Sequence, residues 1–351
     1  MKSYRLTAFE KPLELSNGAI PEPTGREVLL KVLATGICHS DVHLWEGFYN
    51  LGNGKKYPLE KGGVALPLTL GHEITGIVLR TGPEATNVTV GKSYLVFPWI
   101  GCGQCAMCAA GDEHLCGGKP LTLGIYRDGG FADHLLVPDA RYLLALDGLD
   151  PVTTAPYACS GLTAYSALKK AGIIIHSEPI VVIGAGGLGM MSIGLLKAMG
   201  GVGAVVVDLD EKKREAALAA GAKAVVDGSA SDASNQISRA AGIRPRFVVD
   251  FVGSEQSAAL AFNAVAKGGK IVIVGLFGGA APWALPMFPL KAVTIQGSYV
   301  GNLAELRELL EMVRLKRIPP IPITRATLDQ ADAMLGSLRQ GNVIGRVVLT
   351  P

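Results

Sequence analysis

The chain has 351 residues, enough for two domains of ordinary size, and 49% of them are hydrophobic, with a mean hydropathy of +0.33. Its 33 lysines and arginines nearly balance 30 acidic residues, for a formal net charge of +3, and the basic residues are scattered rather than bunched. That leaves no electrostatic footprint for nucleic acid or an anionic membrane.

The opening MKSYRLTAFEKPLEL lacks an apolar run of signal-peptide length, so a cytoplasmic location is expected, with thiols kept reduced. Residues 1 to about 155 then read as short strands broken by glycine and proline. The candidates are Val28–Ala34, Ile74–Thr81, Ser93–Pro98 and Phe131–Val137, with Pro21-Glu22-Pro23 as a turn signal. Between the first two of these strands lie both Cys38-His39-Ser40-Asp41-Val42-His43 and His72-Glu73.

The next stretch, GCGQCAMCAAGDEHLC, places Cys102, Cys105, Cys108 and Cys116 within one glycine-rich loop. Two successive C-x2-C steps followed by a fourth thiol suit one tetrahedral zinc better than two crowded disulfides. Four thiolates saturate such an ion, which points to a structural rather than a catalytic site. The remaining two cysteines, Cys38 and Cys159, are isolated in sequence. Taken singly, each is more often a small core residue than a ligand.

Pro179 to Leu196 carries no charge and is nearly long enough to span a bilayer. Its pattern instead breaks into a β-branched strand, Ile180–Ile183, a glycine turn, and a helix with Leu188, Met191, Leu195 and Met199 on one face. Strands at Ala204–Val207, Ala224–Val226, Phe247–Phe251, Lys270–Gly275 and Val293–Gln296 follow, with a helix from Glu211 to Ala220. Strands alternating with helices of this length predict a doubly wound parallel sheet. A helix over Leu303–Val313, with Asn302 as N-cap and Glu305 three residues on, leads to a final β-branched run at Gly345–Leu349 that could return to the first domain.

The turn Gly184-Ala185-Gly186-Gly187-Leu188-Gly189 is a G-x-G-x-x-G between strand and helix, and Asp208 ends the following strand. The glycines admit a pyrophosphate against the helix N-terminus, and the acid accepts hydrogen bonds from the adenosine ribose. A carboxylate there repels the 2′-phosphate of NADP, so NAD is expected. Lys212 and Lys213 nearby could soften that preference, though they read more readily as a solvated helix face.

These motifs in this order, GICHSD, GHE, the four-cysteine loop, CSGLTAY and GAGGLG, resemble the zinc-dependent alcohol dehydrogenases of the medium-chain dehydrogenase/reductase superfamily, closest to the tetrameric prokaryotic NAD-dependent branch. The resemblance covers essentially the whole chain. It implies an α/β fold: a GroES-like β-rich catalytic domain (1–155 and 298–351, zinc lobe 100–117) and a Rossmann NAD-binding domain (156–297). It further implies two zinc ions per chain. Cys38, His72 and Cys159 would hold the catalytic one, with Glu73 behind it as an alternative fourth ligand and Asp41 orienting the histidine.

Ser40 and His43 would relay the proton through the nicotinamide ribose to solvent. Cofactor contacts are implied for His39, Thr163, Val274, Leu276, Ser298, Val300 and Arg346, the last at the pyrophosphate. Trp45, Phe48, Trp99, Leu123 and Ile125 would wall the substrate pocket, favouring aliphatic, allylic or aromatic alcohols, although any of them could be ordinary core. A homotetramer, or alternatively a homodimer, would form through the edge strand at Leu290–Val300. A polyol or sugar dehydrogenase of the same superfamily, and a non-catalytic nucleotide-binding member, are the competing readings.

Overall fold

The computed structural model describes all 351 residues. Two sheets dominate it. The larger contains seven strands, six of them in the order Leu143–Ala145, Ser93–Val96, Glu73–Thr81, Val28–Ile37, Arg346–Thr350, Ile323–Thr327, while His134–Val137 also pairs with Val28–Ile37. The C-terminal run therefore does return to the N-terminal sheet, with Val347 opposite Ile37. A three-stranded sheet of Glu14–Asn17, Lys2–Leu6 and Leu68–Thr69 packs beside it.

Register in the large sheet decides what the site contains. Gly36 pairs with Glu73, so the ends of Val28–Ile37, Glu73–Thr81 and Arg346–Thr350 converge. Any side chain at Gly36 would place its Cβ 2.0 Å from Glu73 Oε2, so only glycine leaves room for that carboxylate.

The second sheet is six-stranded and wholly parallel. Its order is Ala224–Asp227, Ala204–Asp208, Ile180–Ile183, Phe247–Asp250, Lys270–Ile273, Thr294–Gly297. Numbered along the chain this is 3-2-1-4-5-6, the doubly wound order, with its switch point between the first and fourth strands. Both faces are covered. Val181, Val205, Val248 and Ile271 pack to one side, while Val182, Val206, Val249 and Val272 pack to the other. Continuous burial explains the nearly uninterrupted β-branched runs.

The uncharged stretch at 179–196 resolves into strand Ile180–Ile183 and helix Gly187–Ala198, and no helix in the chain is long and apolar enough to cross a membrane. Observed elements end within a few residues of expectation. Lys270–Ile273 and His134–Val137 are shorter than read from sequence.

Candidate active site

Four thiols of the 102–116 loop come together first. Cys102, Cys105 and Cys116 surround Cys108, with Sγ–Sγ separations of 4.0 Å for Cys102–Cys108, 3.4 Å for Cys105–Cys108 and 3.9 Å for Cys105–Cys116. Four sulfurs on a tetrahedral zinc at about 2.3 Å lie roughly 3.8 Å apart, so the cluster fits the ion. Backbone amides of Cys102 and Gly118 each donate to Cys116 Sγ at 3.3 Å. Amides from Cys108 and Gly117 hold the Cys105 thiol down to about 6, while burial pushes Cys108 up to about 12. Donors aimed at sulfur are what a thiolate needs.

A second donor set forms where the large sheet meets the helix Ser160–Lys169. Cys38, His72 and Cys159 are buried, their ligand atoms lie within 4.8 Å of one another, and the two sulfurs are 3.9 Å apart. Cys38 caps helix His39–Glu46, and Asp41 at the third helical position accepts from the Cys38 amide at 2.8 Å. The other Asp41 oxygen accepts from the Gly71 amide at 3.1 Å and lies 3.4 Å from His72 Nδ1. Asp41 thus lies against both neighbouring donors, and neither His72 ring nitrogen has a hydrogen-bond partner in the protein, Nδ1 facing the Asp41 carboxylate.

A hydrogen bond from Cys159 holds the Cys38 thiol well below its ordinary value, and the same contact pushes Cys159 up. Two thiolates this close and this buried ionise together only beside a cation. Three soft donors with one direction left open match a catalytic zinc.

Glu73 is not among the converging donors. Its Oε2 accepts from Arg346 Nε at 3.1 Å, and its Oε1 accepts from Arg346 Nη2 at 2.5 Å and from the Ser160 amide at 3.1 Å. Both oxygens are engaged, so Glu73 stands in this structure in a buried ion pair with Arg346. Arg346, expected at the pyrophosphate, spends two of its nitrogens on Glu73; Nη1 alone faces the glycine turn, 2.8 Å from where a Cβ on Gly187 would sit.

A cavity of about 650 Å³ runs from these donors across the switch point. His39, Thr163, Gly184, Gly186, Gly187, Leu188, Gly189 and Asp208 line it on the way to the adenosine end. Val274, Leu276, Ser298, Val300 and Arg346 complete the cofactor positions expected from sequence. Gly189 sits so close to the turn that a Cβ would lie 1.8 Å from the Gly184 carbonyl oxygen. Asp208 Oδ2 accepts from the Ala185 amide at 2.6 Å, fixing the carboxylate beside the turn.

Thr163 Oγ1 and Ser298 Oγ are buried without a partner while lining the cavity, as expected of groups that bond a ligand. A dinucleotide therefore fits the residues present. His39 lines the cavity with its side chain open to solvent, although desolvation by the surrounding protein lowers its pKa to about 4.

Ser40 and His43 also line the cavity, near the metal-binding end. Ser40 Oγ is 3.8 Å from Cys38 Sγ. His43 packs edge-on against Tyr49 at 5.4 Å, with Nδ1 3.7 Å from Glu46 Oε2, and burial lowers its pKa from 6.5 despite that carboxylate.

Of the five expected substrate-wall residues, only Trp99 lines the cavity. Its ring contacts His72 edge-on at 5.3 Å, and Nε1 donates to the Ala158 carbonyl at 2.9 Å. Trp45 turns away, donating to the Lys11 carbonyl at 2.8 Å beneath the Arg339 guanidinium. Phe48 lies under the Lys56 ammonium at 3.5 Å, in the hairpin with Pro58. Leu123 is buried in the core and Ile125 packs against it, so neither reaches the cavity.

Sequence reasoning missed Tyr299, which lines the cavity and stacks edge-on against Trp99 at 5.8 Å. Lys213, read from sequence as a solvated helix residue that could soften the NAD preference, lines the adenosine end of the cavity, five residues after Asp208 in the first turn of the next helix.

Residues 24–147 match the family described as alcohol dehydrogenase GroES-like domain, and residues 187–314 match zinc-binding dehydrogenase. The chain is 39% identical to an NAD-dependent alcohol dehydrogenase of Sulfurisphaera tokodaii over 353 residues, covering 100% of both. It is 31% identical to a D-arabinose 1-dehydrogenase (NADP(+)) of Saccharolobus solfataricus, covering 100% of this chain and 97% of the other. The crystal structure of an alcohol dehydrogenase from Aeropyrum pernix superposes with a TM-score of 0.90 at 29% identity, covering 100% of each chain.

Proposed function

The chain belongs to the zinc-dependent alcohol dehydrogenases and uses NAD and zinc to interconvert alcohols with their carbonyl products; we propose that its substrates are primary or secondary alcohols with aliphatic, allylic or aromatic side chains. The observation that carries this reading is the convergence of Cys38, His72 and Cys159 at one end of a cavity whose other end holds the glycine turn and Asp208.

Bound zinc supplies a Lewis acid that lowers the pKa of an alcohol hydroxyl, and bound NAD accepts the hydride. The chain's own residues do the rest. Cys38, His72 and Cys159 would hold the catalytic zinc with a position left for substrate, and the four thiols of the lobe would hold the structural one. Asp41 fixes the His72 ring so that Nε2 is the ligating atom. Thr163, Ser298 and the backbone at Val274, Leu276 and Val300 seat the nicotinamide end, and Arg346 Nη1 reaches toward the pyrophosphate. Ser40 takes up the proton, and His43, neutral at pH 7 because it is buried, passes it to solvent. Trp99 closes the apolar side.

Cys159 stands where polyol members carry a glutamate, which favours alcohols over sugars. Rates of NAD reduction with benzyl alcohol, cyclohexanol and sorbitol test this: sorbitol turning over fastest would overturn it. Metal analysis tests the sites, with zinc confined to the four-cysteine lobe sinking the catalytic assignment.

The domain division proposed is 1–155 with 298–351, and 156–297, supported by the pairing of Ile323–Thr327 and Arg346–Thr350 into the N-terminal sheet. A homotetramer is proposed, or else a dimer. Leu285 and Leu290 are 78% and 64% exposed in the segment that leads into the edge strand Thr294–Gly297, and a second copy would cover them. Two thiol-rich ligand sets need a reducing compartment, which supports the cytoplasm.

A further inference from the structure

Asp112 lies inside the four-cysteine lobe, yet its side chain reaches out of it. Oδ1 accepts a hydrogen bond from the Asn302 side-chain amide at 2.9 Å. Asn302 also caps the helix Leu303–Arg314: its Oδ1 accepts from the Glu305 amide at 2.9 Å, and Glu305 Oε2 accepts from the Asn302 backbone at 3.3 Å. Both ends of one carboxamide are therefore used. The oxygen holds the helix and the nitrogen holds the lobe.

Two residues upstream, Val300 has φ +39. A β-branched side chain in the left-handed region is a genuine outlier, and it persists only where the surroundings over-determine it. Three contacts do so here. Tyr299 is stacked on Trp99 at 5.8 Å. Gly301 is wedged so tightly that a Cβ would lie 2.6 Å from Glu305 Oε2 and 2.7 Å from Leu162 Cδ1. Asn302 is tied to Asp112. The strained turn faces the cofactor cavity with unspent hydrogen-bonding capacity: Val300 is buried, and neither its amide nor its carbonyl has a partner in the protein. Ser298 Oγ is likewise buried and unpaired.

We propose that Asp112 is a positioning residue for nicotinamide binding, acting through Asn302 to hold the strained 298–300 turn with its unpaired backbone groups toward the cofactor. The metal lobe then does more than stabilise itself, because it anchors one wall of the cleft from outside the nucleotide-binding sheet. The proposal rests on the reading of the 298–300 turn as the nicotinamide seat.

The test uses full-length, zinc-replete enzyme and two ligands. NADH occupies the whole cleft, whereas ADP-ribose shares everything except the nicotinamide. Asp112→Ala removes the acceptor. Asn302→Ser keeps a capping oxygen but loses the donor, and it lies outside the lobe should Asp112→Ala lose metal. Asp112→Asn retains an acceptor and serves as the rescue.

Both disruptive variants should weaken NADH binding about tenfold, the scale of one lost charge-assisted hydrogen bond, while changing ADP-ribose affinity less than about twofold. KM for NAD should rise by the same factor, with a smaller change in kcat, and Asp112→Asn should sit near wild type. Equal weakening of both ligands would mean general loosening and overturn the proposal, as would unchanged NADH affinity in both variants. Wild-type enzyme that binds ADP-ribose with no gain from the nicotinamide would instead overturn the reading of the seat.

Discussion

Replacing Arg346 with methionine removes the guanidinium that neutralises Glu73 while keeping much of the buried volume. Glu73 is fully buried and Arg346 is 1% exposed, joined by two hydrogen bonds at 3.1 and 2.5 Å. Losing one partner of such a pair leaves an uncompensated charge, at a cost of about 3–5 kcal/mol. Burial already pushes the Glu73 carboxyl upward against the pull of Arg346, so protonation can relieve part of that cost. The lower end, about 3 kcal/mol, is therefore expected.

Glu73→Gln keeps an oxygen for the Ser160 amide and for the guanidinium, and should cost about 1–3 kcal/mol. The double variant removes both charges, so it should be more stable than the sum of the singles predicts, by about 2 kcal/mol. Urea unfolding of the zinc-loaded enzyme measures all three. Cofactor kinetics separate the partners: Arg346 Nη1 faces Gly187, so Arg346→Met should raise KM for NAD about tenfold while Glu73→Gln leaves it nearly unchanged. A loss below about 1 kcal/mol for Arg346→Met, or strictly additive singles, would refute the reading of this pair as a tightly coupled buried ion pair.

Cys108→Ser should remove the zinc of the lobe but not the catalytic zinc, halving the metal measured by elemental analysis, and should lower stability by several kcal/mol. His43 accepts its proton as a neutral ring, so kcat/KM should rise with pH through a value below 6.5; in His43→Ala that acid limb should disappear and activity fall about 10²-fold. Asp208→Ser should cut kcat/KM for NAD about 10- to 100-fold by removing ribose acceptors. The same change should shift the NADP:NAD ratio upward, since the carboxylate no longer opposes a 2′-phosphate beside Lys213.

The dinucleotide end was legible because its chemistry is local. Turn, helix N-terminus and acid follow one another along a single β-α-β run, and each requirement acts on neighbouring residues. The zinc lobe was legible for the same reason. The substrate wall was not. Trp45 follows Ser40 by five residues in the helix His39–Glu46, which turns it about 140° away from the Ser40–His43 face at 100° per residue. The family resemblance suggested a pocket residue, and helical phase sent it to Lys11 and Arg339 instead. Tyr299 was missed for the converse reason: nothing local marks a tyrosine as pocket-lining until the turn after Thr294–Gly297 brings it onto Trp99.

The converging donors Cys38, His72 and Cys159 lie between these extremes, and sheet topology explains why. Cys38 ends the strand Val28–Ile37, His72 precedes Glu73–Thr81, and Arg346 opens the last strand of the chain. Only when Arg346–Thr350 pairs with Val28–Ile37 does the guanidinium reach Glu73 and complete the wall behind the donors. Cys159 arrives separately, at the start of Ser160–Lys169, held there by Glu73 accepting from the Ser160 amide and by Trp99 donating to Ala158. A single carboxylate thus joins the C-terminal strand to the helix that delivers the third ligand. An open metal site needs that rigidity, because three ligands without a fourth protein donor fix the ion only if the elements behind them cannot shift.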